Sequence, residues 1–238
     1  PLPISHDTPI NPASLPYSCD FEDATENGNW TIVNGSYTNQ WYIGDVVNNT
    51  PNGSNGLYVS QDTGATNSYD ITSASYVWAY RDIDFGTSSG EYLISFDWRD
   101  STESCCDYLK VYIGNPVDVT NVGTSIPAGL ATVSTNYNFS STWRRDTIYA
   151  NATFQGIKRL YFYWRNDGSV GTSQAIAVDN ITVEGIECGR PLNLAVTETS
   201  TTSISIEFDA AVSSDNSWDA VIVEHGDEWD ETMAINLN

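Results

Sequence analysis

Basic residues are scarce: nine Lys and Arg stand against 31 Asp and Glu in 238 residues, a formal charge of −22. Such a field repels phosphate backbones and anionic lipid surfaces, which weighs against nucleic acid as a partner. Histidine is nearly missing too. His6 and His225 are the only two, and they lie too near the ends to serve a Ser/His/Asp or zinc arrangement in a central domain. No run approaches the ~18 consecutive apolar residues of a membrane-spanning helix. No strand sets alternating acids toward a cleft as glycoside hydrolysis would need. The chain therefore reads as non-catalytic.

What is plentiful is aromatic. Fourteen Tyr and eight Trp suit sheets and argue against disorder or a helical bundle. Glu91 to Arg99 alternates Tyr92, Ile94, Phe96 and Trp98 with Leu93, Ser95, Asp97 and Arg99. Tyr108 to Ile113 sets Leu109, Val111 and Ile113 against Tyr108, Lys110 and Tyr112, and Lys158 to Arg165 sets Leu160, Phe162 and Trp164 against Tyr161 and Tyr163. Period-2 runs of this kind are half-buried strands. Short strands joined by long loops, with no helical period between them, predict an all-β fold, an antiparallel jelly-roll β-sandwich.

The stretch Gln174 to Glu184 predicts the closing strand, with one carboxylate, Asp179, set among small and β-branched residues. Burying that carboxylate requires donors or a cation, and Cys19 to Glu22, near the start, is the expected partner stretch. On a strand, Asp20 and Glu22 would share a face. Residues 1–15 read as an extended lead-in, 16–188 as the sandwich, and 189–238 as a second, shorter unit. Four Cys, few Lys and many Asn, Thr, Ser and Tyr suggest an exported protein. A Cys19–Cys188 bridge tying both ends is favoured over two free thiols, and adjacent Cys105 and Cys106 are left with a vicinal disulfide, two thiols or crossed pairing with the terminal cysteines. Seven Asn-x-Ser/Thr sequons occur, one of them Asn180 within the expected buried strand. Chance sequons in a bacterial surface or secreted protein account for that most economically.

In order, Cys19-Asp-Phe-Glu22, Trp41, Asp107-Tyr-Leu-Lys-Val-Tyr112, Trp143 and Ile176 to Val183 resemble the MAM domains of adhesion proteins and their bacterial relatives, the cleaved-adhesin and choice-of-anchor domains. The resemblance covers roughly residues 16–188. It implies a jelly-roll module for adhesion or surface interaction, a host or cell-surface protein or glycan as partner, and a structural calcium ion near the first and last strands. The family acids fall on Glu22 and Asp179, and Asn180 stands where a second acid is usual. Asp20, Glu22, Asp179 and Asn180 are therefore the expected ligands, calcium taking six to eight oxygens. The alternative is that these carboxylates only accept backbone N–H bonds. From Pro191 the chain resembles the first half of a fibronectin type III domain. A second functional reading is a carbohydrate-binding module, with Tyr108, Tyr112, Trp143, Tyr161 and Tyr163 as the ligand face, set against those rings simply packing on one another.

Overall fold

The computed structural model describes residues 11–87, 91–117, 125–150, 154–172, 174–186, 191–209, 217–221 and 235–237. The chain divides into two compact units, Pro1–Gly185 and Ile186–Asn238.

The first unit is an all-β jelly-roll sandwich of two six-stranded sheets. One sheet runs in the order β1 (Ala13–Ser14), β6 (Ser75–Asp84), β11 (Ile157–Asn166), β8 (Tyr108–Gly114), β9 (Ala131–Thr132), and β3 (Thr31–Val33) also pairs with β6. The other runs β10 (Ser140–Ala150), β7 (Glu91–Asp100), β12 (Ala177–Ile186), β5 (Gly56–Ser60), β4 (Gln40–Gly44), with β2 (Tyr17–Cys19) also on β12. The ladder between β1 and β6 is parallel.

Alternation decides which face each side chain takes, as the sequence predicts. Ile94, Phe96 and Trp98 of β7, Leu109, Val111 and Ile113 of β8, and Leu160, Phe162 and Trp164 of β11 all enter one buried core. Their neighbours in sequence turn outward, so the two outer faces are where a ligand could be met. Arg81 and Asp100 put charge at inward strand positions. Arg81 of β6 is 3% exposed and meets Glu26 at 2.6 Å from the short helix α1 (Ala24–Asn27).

The closing strand does meet the first segment: Ile181, Thr182 and Val183 pair with Cys19, Ser18 and Tyr17. Strand β2 does not continue through Asp20 to Glu22, however. It ends at Cys19, because Phe21 adopts a positive φ of 60° and buries its ring, after which Asp23 caps α1 through the Thr25 N–H. Asp20 and Glu22 consequently do not share a strand face. Ala13 and Ser14, read as lead-in, are instead paired with Ile83 and Asp84.

In the second unit, β13 (Leu192–Thr199) and β14 (Ile204–Asp209) form an antiparallel pair, and β15 (Trp218–Ala220) pairs with β16 (Ile235–Leu237). Phe208 and Trp218 pack edge to face at 4.9 Å.

Candidate functional site

The residues expected to hold calcium are engaged as hydrogen-bond acceptors. Asp179 is fully buried, and its Oδ2 accepts the backbone N–H groups of Asn49 at 2.5 Å and Thr50 at 3.0 Å, while Oδ1 accepts that of Asn180 at 2.7 Å. Burial pushes its carboxyl above the ordinary range, and these donors offset part of the push. Asn180 stands at φ 49° and receives the Thr50 hydroxyl on its amide oxygen at 2.8 Å. Glu22 accepts the N–H groups of Ser54 and Asn55, both at 2.7 Å, which hold its carboxyl below the usual glutamate range. Gly53 permits that approach, since a Cβ there would stand 2.6 Å from the Glu22 carboxylate. Asp20 accepts the Glu22 N–H. Among the described residues, Asp20, Glu22 and Asp179 do not bring three ligand oxygens within 4.8 Å of one another. The physical reason is the turn at Phe21. The partner of Asp179 is the loop Asn49 to Thr50 rather than Cys19 to Glu22, and both carboxylates clasp the same Asn49 to Asn55 loop.

The expected tyrosine face is assembled but closed. On the outer side of the first sheet, register places Tyr161 between Tyr80 and Tyr112, and Tyr163 between Trp78 and Lys110. The rings pack on one another, Trp78 and Tyr163 at 4.4 Å, with Val117, Ile126 and Leu130 against them. Tyr112, Tyr161 and Tyr163 are buried, and Tyr108 is half-buried beneath its contact with Arg165. Side by side on a pleated surface, large rings exclude solvent from each other. They form a second small core, not a platform. Trp143 belongs to the opposite sheet and does not join them.

Trp143 instead stands on the outer side of the second sheet, half-exposed on β10, with the Arg99 guanidinium 5.4 Å from its ring and with Val47, Tyr58 and Ala177 in the same cluster. Arg145, two residues on along the same face, pairs with Asp97, two residues before Arg99 on β7. An open cleft of about 610 Å³ lies there, lined by Asp20, Asn49, Asp97, Arg145, Asn180 and Thr182 among others. Asp97 is the centre of its polar network. Its Oδ1 accepts Arg145 Nη1 at 3.0 Å, and its Oδ2 accepts the side-chain amides of Asn49 and Asn180, both at 2.8 Å. Arg145 also donates to the Asn180 carbonyl at 3.1 Å and the Thr182 hydroxyl at 3.3 Å. Five side chains from β7, β10, β12 and the Asn49 loop are thereby fixed in orientation. Sequence reading put Asp97 and Arg99 on the polar face of their strand but had no signal that Arg145 and Asn49, 48 residues away on either side, would converge on Asp97.

Of the expected cysteine pairings, one is seen among the described residues. Cys105 and Cys106 form a vicinal disulfide, and Cys19 is a free thiol packed in the core. Cys19 is buried in the core, and the other half of the expected bridge, Cys188, lies outside the described residues.

No protein-family model matches the sequence, and no curated protein matches it. Among solved structures, the chain is similar to the CBM22-1 xylan-binding domain of Paenibacillus barcinonensis Xyn10C, at 14% identity and TM-score 0.46, covering 75% of this chain and 99% of that one. It is also similar to TmCBM61, solved with β-1,4-galactotriose, at 9% identity and TM-score 0.41, covering 68% and 93%. A third is the enzymatically active domain of bacteriophage CBA120 tailspike protein 4, at 13% identity and TM-score 0.42, where the match spans 70% of this chain and 20% of that one. At these TM-scores the likenesses carry no functional argument.

Proposed function

We propose that the first unit is a carbohydrate-binding module and that its ligand lies across the outer face of the second sheet, from Trp143 to the cleft around Asp97. A sugar ring presents an apolar C–H face and a rim of hydroxyls, so a site for it combines one accessible aromatic face with fixed donors and acceptors. The observation that carries the reading is the Asp97–Arg145 pair, held from several sides in an open cleft with half-exposed Trp143 roughly 7 Å along the same strand face. Planar carboxylate, guanidinium and amide groups in such a frame bind hydroxyls without first losing side-chain freedom. The net charge of −22 favours a neutral glycan over an acidic one. An extracellular location fits this reading. Adhesion to a host or cell-surface protein, the reading drawn from the MAM-like motifs, makes no particular use of the cleft.

The test is affinity electrophoresis through soluble neutral xylan, mannan, galactan and glucan. The chain is expected to be retarded by at least one of them, and Trp143→Ala and Arg145→Ala to weaken that retardation at least tenfold, while Tyr108→Phe on the first sheet leaves it unchanged. Retardation by none of the four, or full retention of binding by both variants, would sink the assignment.

A further inference from the structure

The loop that follows β7 gathers negative charge for which neither the fold nor the cleft gives a use. The loop Ser101 to Asp107, between β7 and β8, and Asp167, directly after β11, bring three carboxylates together. Ligand oxygens of Glu103, Asp107 and Asp167 lie within 4.8 Å of one another. Calcium binds oxygens at about 2.4 Å, so two oxygens on one ion stand no further apart than roughly twice that distance. The spacing is that of a single coordination shell.

A second observation points the same way. Asp100, the last residue of β7, is 0% exposed; its Oδ1 accepts the Thr102 N–H at 2.9 Å, and its Oδ2 has no hydrogen-bond partner. The Asp107 charge acts on Asp100 and the Asp100 charge on Tyr69, whose hydroxyl donates to Asp107 at 2.9 Å, and Thr102 ties the two strand ends together by donating to the Asp107 carbonyl. Asp100, with one carboxylate oxygen unpartnered, is thus linked through Thr102 to Asp107 of the group. Glu103 Oε1 is likewise buried and without a partner. Burial, and then the neighbouring carboxylates, push the carboxyls of Asp100, Glu103 and Asp107 above their ordinary range. Arg165 of β11 is the cation acting on Glu103 and Asp107, and its Nη1 is already directed to the Tyr108 hydroxyl. One guanidinium among four carboxylates leaves the group negative. Cys105 and Cys106 adjoin Glu103 but are joined to each other, so they offer no thiolate to a soft metal.

We propose that this loop is a calcium site, with Glu103, Asp107 and Asp167 as ligands and the buried, part-unpartnered carboxylate of Asp100 behind them. A divalent ion supplies the positive charge that the buried carboxylates lack, and half-exposed Glu103 and Asp167 leave it a way in. The site is separate from the Asp20, Glu22, Asp179 and Asn180 set.

Terbium, which replaces calcium on oxygen ligands, tests it on the intact chain. Trp164 packs at 5.4 Å against Tyr69, so exciting tryptophan should sensitise terbium emission from an ion at Asp107. The expected result is sensitised emission that excess calcium displaces and magnesium does not, together with a thermal midpoint raised by calcium. Glu103→Gln and Asp167→Asn should each weaken terbium binding at least tenfold, and Glu22→Gln should leave it unchanged. Glu103 Oε1 has no hydrogen bond to lose, so its glutamine variant should fold, as far-UV circular dichroism would check. Absent emission in the parent chain, unchanged affinity in both loop variants, or loss of emission with Glu22→Gln alone would each overturn the proposal, and displacement by magnesium as readily as by calcium would overturn the choice of ion.

Discussion

Cys19 shows how the setting of a single residue determines its chemistry. Burial, against hydrogen bonds that act the other way, pushes its thiol up to about 11, so little thiolate exists at neutral pH and none is exposed to a reagent. Iodoacetamide should leave Cys19 unmodified in the native protein and modify it in denaturant without any reductant; peptide mapping reads both states. Failure to alkylate in denaturant would mean that it is bridged after all. Asp179 was legible for a related reason. A carboxylate among Ala177, Val178 and Ile181 must be met by donors, and it is, yet no residue type or spacing in the chain announces that Asn49 and Thr50 supply them. Backbone N–H groups carry no sequence signature, which is why the donor loop was missed while the acceptor was found.

Strands were the most legible elements, since a strand buried on one face writes its period into the sequence. β7, β8 and β11 present the faces that alternation predicts. Legibility fails where a side chain breaks its period for a distant partner. Arg81 occupies an inward position of β6 because Glu26 of α1, which also accepts the Tyr17 hydroxyl at 2.8 Å, closes the sandwich edge over it. Burial pushes the Glu26 carboxyl up, but the hydrogen bonds from Arg81, Tyr17 and Asn29 and the Arg81 charge outweigh it and hold the carboxyl below the usual glutamate range. Glu26→Gln would leave Arg81 buried and uncompensated, at a cost of about 3 kcal/mol, the low end for a buried pair because Glu26 keeps 21% of its side chain exposed. A carboxyl lowered on folding stabilises fully above its unfolded value and loses that contribution as pH falls through the folded one. Urea unfolding should therefore show the gap between parent and Glu26→Gln at neutral pH narrowing on acidification below the ordinary glutamate range. A gap constant with pH would mean that the pair contributes by packing alone.

For the whole molecule, composition set the fold class and the sign of the field, whereas which outer face stays open depended on how segments such as Val117 and Ile126 to Leu130 lie over the tyrosines. With a charge of −22, any attraction to an anionic polymer is opposed at long range, while hydroxyl contacts to a neutral one are indifferent to screening. Retardation by a neutral polysaccharide should change less than twofold between about 20 and 300 mM salt, a range over which the Debye length shrinks roughly fourfold; strong salt dependence in affinity electrophoresis would point to a charged ligand instead. The pairing of β12 has a consequence in time. Residues 177–178 hold β5 and residues 181–183 hold β2, so two segments from the first quarter of the chain find their sheet partner in the strand synthesised last in this unit. Contacts spanning well over a hundred residues are slow to form, and until β12 emerges the N-terminal strands present unpaired edges. The unit cannot close while it is being made, and a chaperone or a delayed collapse has to cover that interval.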